Sequence, residues 1–188
     1  MFDKSEPVLD WLKRQRRTNE VQLGLMAHRF DLDGAMASGQ VELAWRTREV
    51  ILIAGIELHL RMCGLDPSFG TEHATRAQVM LRLLGTLDQS LADQAWGLLV
   101  RVMPLDRAAL ERELDEIDSF LTHRLSVRSA QSRGEAVRVW ADGVKLLRDV
   151  GRSLGLAGTD RWYLRSSSGL ENQLTWYDEA IDFASQQS

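Results

Sequence analysis

The distribution of apolar residues along the chain predicts a protein built from helices. Apolar side chains recur at three- and four-residue intervals in the long segments, and only residues 56–62 (IELHLRM) alternate with a period of two, as a strand does. A single strand would leave its backbone groups without partners, so we interpret this segment as helix as well. The chain has only 3 prolines, which also favours long helices. The pattern therefore predicts an all-α fold.

About seven helices follow from this pattern and from the residues that begin and end helices. They are expected from Ser5 to about Phe30 (as one long helix or two in line), over residues 35–63, 71–84, 88–103, 106–125 and 135–150, and from residue 169 onward. The DLDG sequence at residues 31–34 is expected to break the first helix. Because the chain shows no internal repeat, we predict a single-domain multi-helix bundle over residues 1–188.

The segment 35–63 has the most informative pattern of all. It becomes apolar on every side through residues 50–56 (VILIAGI), which is typical of a helix at the centre of a bundle. Arg48, Glu49 and Glu57 border this apolar stretch, so at least one of them is expected to be buried. A buried charge must be paired, because an unpaired one costs several kcal/mol.

The central helix also supplies the candidate catalytic residues. These are Arg48, Glu49, Glu57 and His59. In a polar pocket inside the bundle, Glu57 or His59 would accept a proton and an arginine would hold an anionic group. The alternative is a solvated stripe, since Glu42–Arg46 and Glu57–Arg61 have the i,i+4 spacing of ordinary surface ion pairs.

A second set of residues near the end of the chain suggests a binding surface. It consists of Arg161, Trp162, Tyr163, Arg165, Trp176 and Tyr177. Aromatic rings flanked by arginines suit stacking on a flat ligand or on a partner surface. The alternative is that this segment closes the open end of the bundle.

Basic residues near the start of the chain form a third set. Arg14 and Arg17, with Lys13 and Arg16 beside them, form a short basic face that would contact phosphates, and Arg161 and Trp162 would add to it. The alternative is a solvated helix face. The net charge is −4, so no overall positive field favours nucleic acid as a partner.

Several kinds of chemistry lack the residues that they require. The four histidines, His28, His59, His73 and His123, are well separated, and no HExxH or Glu-x-x-His pair is present. The glycine-rich residues 151–158 follow no strand and contain no lysine, so a helix end with a flexible connector is favoured there over a phosphate loop. We therefore expect no metal ion and no cofactor.

The same sequence suggests a compartment and a source. Cys63 is the sole cysteine, the N-terminal residues do not resemble a secretory signal, and the longest apolar run, residues 50–56, is too short to span a bilayer. We expect a cytoplasmic protein without a membrane segment. All but three of the 23 basic residues are arginine, a bias that suggests a bacterium with a GC-rich genome.

These observations lead to one main hypothesis and two alternatives about function. The main hypothesis is a non-catalytic helical bundle that binds a partner protein, a small ligand or a second copy of itself, because 6 tryptophans exceed what a core of this size needs. The first alternative is a small bacterial enzyme with acid–base residues in a bundle cavity. The second is a weak nucleotide- or RNA-contacting module. The sequence does not decide whether the chain is an enzyme.

Overall fold

The computed structural model describes three continuous stretches and a few separate positions of the chain. They are residues 8–67, 75–104 and 106–127, with residues 145, 149, 152, 177–182 and 185. The chain divides into two compact units, one formed by Met1–Leu23 and Ala130–Ser188 and the other by Gly24–Ser129. That residues 1–188 form one domain stays a prediction.

Every regular element in these stretches is helical. The elements are α1 (Val8–Ala37), α2 (Val41–Met62), α3 (Arg76–Leu87), α4 (Gln89–Leu99), α5 (Arg107–Ser119) and a π-helical turn (Phe120–Arg124). The predicted all-α fold is confirmed. The sixth and last predicted helices lie mostly outside the described residues, so the total of about seven stays a prediction. None of the described helices is both long and apolar enough to cross a membrane.

The first helix is longer than the sequence pattern predicts. α1 runs through residues 31–34, where a break was expected, and ends only at Ala37. Leu25, Leu32 and Ala35 are buried at seven- and three-residue spacing, so the core contacts of α1 continue beyond the DLDG sequence. Asp31, Asp33 and Gly34 are exposed on the helix surface and do not interrupt the helix. The predicted break is therefore wrong.

A tight turn separates α1 from α2. The backbone N–H of Gln40 donates to the carbonyl oxygen of Ala35 at 2.9 Å, and Gly39 has φ +71°. A side chain at Gly39 would be strained, because L-residues other than glycine rarely adopt this conformation. The second helix therefore begins at Val41 rather than at residue 35, and residues 35–37 belong to α1.

α2 is the central helix of the unit Gly24–Ser129. It packs against α3, α4, α5 and the π-helical turn. Its second half is buried on almost every side, with Ile51, Leu52, Ile56 and Leu60 at 0% exposure. The first turn lies at the surface, where Leu43 is 48% exposed. The predicted central helix is confirmed, with its ends corrected to Val41–Met62.

Side-chain caps begin the three shorter helices. Thr75 and Gln78 form a capping box at the start of α3, which extends through Gly85 although that glycine was expected to end it. The Asp88 carboxylate accepts backbone N–H bonds at the start of α4, and Asp106 does the same for α5. The expected helix starts at residues 88 and 106 are confirmed, because a short acidic side chain there satisfies N–H groups that have no partner in the first turn.

The helical segment that begins at Arg107 ends in a wider turn. The N–H of Leu125 donates to the carbonyl oxygen of Phe120 at 3.2 Å, five residues earlier, and the N–H of Val127 donates to that of Leu121 at 2.8 Å. Ser126 adopts φ +54° directly after the turn. The side chains of Phe120, Leu121, Leu125 and Val127 are all buried. The π-helical turn thus directs four large apolar side chains into the core.

Candidate functional site

The buried carboxylate of Glu57 is fully engaged by arginines. Glu57 is 3% exposed, and its Oε1 accepts hydrogen bonds from Nε and Nη2 of Arg61 at 3.0 and 2.8 Å. Its Oε2 accepts from Arg76, the first residue of α3. Arg61 also contacts Asp66 at 2.7 Å. The charges of this cluster balance, so it joins α2 to α3, and both oxygens that would accept a proton are occupied.

Arg48 is the other buried charge of α2. It is 1% exposed, and its Nη2 donates to the carbonyl oxygen of Leu98 at 2.5 Å. The guanidinium lies 3.7 Å from the ring centre of Trp45, and its Nε has no hydrogen-bond partner. Burial lowers the pKa of Arg48 from its ordinary value. Its neighbour Glu49 is exposed, so two of the three charges that border the apolar stretch are buried, and the expectation that at least one of them is buried is met.

His59 lies at the end of α2 between a carbonyl group and a thiol. Its Nδ1 is 2.8 Å from the carbonyl oxygen of Leu125, and its Nε2 is 3.7 Å from Sγ of Cys63. His59 is half-buried, whereas Cys63 is exposed. From the sequence, Cys63 was expected only to be unpaired, since it is the sole cysteine. The four-residue spacing of the two side chains on a helix would have indicated that they are neighbours.

The four candidate catalytic residues therefore do not form one pocket. Arg48 contacts the end of α4, Glu57 contacts the start of α3, and His59 contacts the residue after the π-helical turn. The sequence indicated which charged residues lie on the central helix. It did not indicate the groups that they contact, because those groups belong to other helical segments. Their catalytic role stays a prediction.

The outer surface of α4 carries large apolar side chains, although their three- and four-residue spacing with buried residues predicts that they face the core. Leu91 and Ala95 are buried as expected, but Trp96 is 55% exposed and Val100 is 52% exposed. The following residues extend this surface, since Val102 is 89% exposed. The apolar face of α4 is wider than the surface that the neighbouring helices cover, so its flank remains in water.

A groove lies between α4 and the helical segment Arg107–Arg124. Its volume is about 530 Å³, and it is lined by Gln94, Gly97, Leu98, Arg101, Glu116, Ser119, Phe120 and Arg124. Arg101 donates hydrogen bonds to Glu113 at 2.9 Å and to Glu116 at 2.6 Å. Both hydrogen bonds raise the pKa of Arg101, and the one to Glu113 has the larger effect. The groove thus combines an apolar floor with charged groups of both signs.

The predicted binding segment near the end of the chain lies largely outside the described residues. Those positions are Arg161, Trp162, Tyr163, Arg165 and Trp176. Tyr177 is described and is 4% exposed, and burial raises the pKa of its phenol. On α1, Arg14 and Arg17 are exposed. Ligand binding by the first set and phosphate contact by the second stay predictions.

Neither metal-site geometry nor comparison with known proteins identifies an activity. Within the described stretches, no three His, Cys, Asp or Glu side chains are grouped so as to hold a metal ion. No family model matches this sequence, and comparison with curated proteins and with solved structures finds no match. The chemistry of the surfaces described above is therefore the basis on which a function can be proposed.

Proposed function

We propose that this protein is a protein-binding helical bundle and that its binding surface is centred on Trp96. The partner that this surface fits best is a second copy of the same chain. The observation that carries the proposal is the exposure of a tryptophan on α4, a helix that also lines a groove suited to an aromatic ring.

The exposed residues are of the types that dominate protein–protein contacts. Trp96, Val100 and Val102 are each more than half exposed, and Met103 is 41% exposed. Tryptophan, methionine and arginine are enriched at interfaces, whereas single exposed apolar residues are common on any protein surface. Four large apolar side chains within eight residues form a cluster rather than scattered exposures, and such clusters mark interaction sites.

The groove has the chemistry that an indole ring requires. Leu98 and Phe120 supply apolar contact, and Arg101 and Arg124 lie at its lining, where guanidinium groups can stack on an aromatic face. Gly97 has no side chain to narrow the groove, and an added Cβ there would meet nothing within 4 Å. An exposed tryptophan from another molecule therefore fits this groove.

A two-fold symmetric contact would place Trp96 of each copy in the groove of the other. Such a contact requires a surface that is complementary to itself. The groove carries Arg101 and Arg124 together with Glu116, so opposite charges can face each other across a two-fold axis. The net charge of −4 is small and adds little repulsion between two copies.

Sedimentation velocity of the full chain tests this proposal. We expect the proportion of dimer to rise over about a hundredfold range of protein concentration, because dimerisation follows mass action. Trp96→Ser should weaken the dimer by about thirtyfold or more in Kd, as is usual for a central interface tryptophan. Circular dichroism should show an unchanged helix content for this variant, since the side chain lies at the surface.

Leu43→Ser is the matched control. Leu43 is 48% exposed on α2, outside the groove, so its substitution should leave the dimer unchanged. A wild-type chain that stays monomeric over the whole concentration range would refute the proposal. Equal effects of the two substitutions would refute it as well, because they would show that general surface hydrophobicity causes the association.

A further inference from the structure

Cys63 and His59 form a pair whose chemistry the proposed function does not use. Cys63 caps the C-terminal end of α2 and has an exposed side chain. Its Sγ lies 3.7 Å from Nε2 of His59, within the range of a hydrogen bond to sulfur. A thiol beside an imidazole is the arrangement in which the nitrogen can take up the thiol proton.

The hydrogen bond to Leu125 determines which nitrogen of His59 carries the proton. A carbonyl oxygen only accepts, so Nδ1, at 2.8 Å from this oxygen, must be the N–H donor. In the neutral ring the other nitrogen, Nε2, then has a free lone pair, and this lone pair faces the thiol. The imidazole is therefore held in the tautomer that can accept a proton from Cys63.

The π-helical turn holds the carbonyl oxygen that orients the ring. The N–H of Leu125 is bonded to Phe120, and the Leu125 side chain is fully buried. This anchored backbone lies 66 residues away from His59 along the chain. The ring orientation therefore exists only in the folded protein and is lost when the chain unfolds.

We propose that Cys63 is a site of thiol–disulfide exchange with small disulfides and that His59 is its proton acceptor. The S–H bond of Cys63 breaks, and its proton moves to Nε2 of His59. The sulfur attacks one sulfur of the small disulfide, a new S–S bond forms, and the original S–S bond breaks. The leaving thiolate takes the proton from Nε2. The Cys63 thiol is oxidised to a mixed disulfide while half of the small disulfide is reduced to a thiol.

The aromatic disulfide DTNB is a direct probe of this step, because its leaving group is coloured. Cys63 is the single cysteine of the chain, so the colour reports this site alone. His59→Asn preserves a donor toward Leu125 but removes the proton acceptor that faces Cys63. We expect this variant of the folded protein to react about tenfold more slowly, at the low end of the effect of a positioned base.

Two controls separate proton transfer from other effects. His28→Asn changes a histidine on α1 that is 40% exposed and should leave the rate unchanged. In concentrated urea, wild type and His59→Asn should react at the same rate, because the unfolded chain no longer holds the ring against the thiol. Incubation with oxidised glutathione should give wild type one glutathione adduct by mass spectrometry, and Cys63→Ser none.

The proposal is wrong if folded His59→Asn reacts with DTNB as fast as wild type. It is also wrong if the rate difference persists in urea, since the effect would then come from local sequence rather than from the folded geometry. A wild-type chain that forms no adduct with oxidised glutathione would likewise overturn it.

Discussion

Arg48 donates a hydrogen bond from Nη2 to the carbonyl oxygen of Leu98, so a buried charge on α2 caps the end of α4. The carbonyl groups of the last helical turn have no partner within the helix and carry partial negative charge. The guanidinium donates the missing hydrogen bond inside the core, where water cannot donate it. The contact spans 50 residues of sequence and joins the central helix to the helix that carries Trp96.

Substitution of Arg48 should show whether its bulk or its charge stabilises the fold. Arg48→Ala leaves a cavity against Trp45 and should lower the free energy of unfolding by about 3 kcal/mol. Arg48→Met retains most of the volume and removes a charge that is costly to bury, but it leaves the Leu98 carbonyl oxygen without its donor, so it should cost about 1 to 2 kcal/mol. Urea unfolding followed by circular dichroism measures both values. Equal losses of unfolding free energy in the two variants would show that the guanidinium group, and not the packing of the side chain, stabilises the fold.

Two Glu–Arg pairs with the same spacing on α2 provide a matched comparison. Glu57 and Arg61 are 3% and 10% exposed, whereas Glu42 and Arg46 are 68% and 75% exposed. Glu57→Gln removes the charge that two guanidinium groups contact and should cost about 3 kcal/mol of unfolding free energy. Glu42→Gln should cost about 0.5 kcal/mol or less, because water screens the exposed pair. Urea unfolding of the two variants in low salt measures the difference in unfolding free energy. Similar losses in the two variants would contradict the stronger contribution of the buried pair.

Gly55 allows the π-helical turn to approach α2. A Cβ at this position would overlap the side chain of Leu121, which is fully buried. Gly55→Ala should therefore lower the free energy of unfolding by about 2 kcal/mol, although alanine is the better helix former.

The overlap predicted at Gly55 is tested by a double-mutant cycle. Gly55→Ala combined with Leu121→Ala should cost less than the sum of the two single losses, because the smaller side chain makes room for the added methyl group. Gly24→Ala, where a Cβ would meet nothing within 4 Å, should instead stabilise the protein by up to about 1 kcal/mol. Additive losses in the cycle would show that Leu121 is not the obstacle.

Stability should fall at alkaline pH because Tyr177 is buried. Burial raises the pKa of its phenol above the ordinary value of 10.0. Above that pH the unfolded chain releases the proton while the folded chain retains it, so the folded state binds more protons and stability decreases as pH rises. The phenol alone contributes a slope of about 1.4 kcal/mol per pH unit above its unfolded pKa. Tyr177→Phe should reduce the slope by this amount in urea unfolding at several pH values. An unchanged slope would show that the phenol is accessible.

Much of the fold could be predicted from the sequence because it depends on neighbouring residues. The apolar spacing indicated the helices, and Asp88 and Asp106 indicated where α4 and α5 begin. The apolar stretch of α2 indicated its central position and the burial of Arg48 and Glu57. The DLDG sequence of α1 misled the prediction, because buried residues on either side of it outweigh the local preference for a turn.

The candidate surfaces could be predicted less well, because they depend on which face of a helix its neighbours cover. Trp96 has the spacing of a core residue, and only the packing of the neighbouring helices leaves it exposed. The pairing of Cys63 with His59 could have been inferred from helix spacing. The hydrogen bond that orients His59 could not, since its acceptor belongs to Leu125 in another helical segment.

The sequence by itself determined that the chain forms helices, roughly where the described helices lie, and that α2 is buried with charges on it. These properties follow from the periodicity and polarity of nearby residues. Only the tertiary structure decided which groups those charges contact and which apolar side chains remain in water. Pairing and exposure arise when distant segments meet, because a hydrogen bond or a covered face requires two surfaces, and the local sequence describes only one of them.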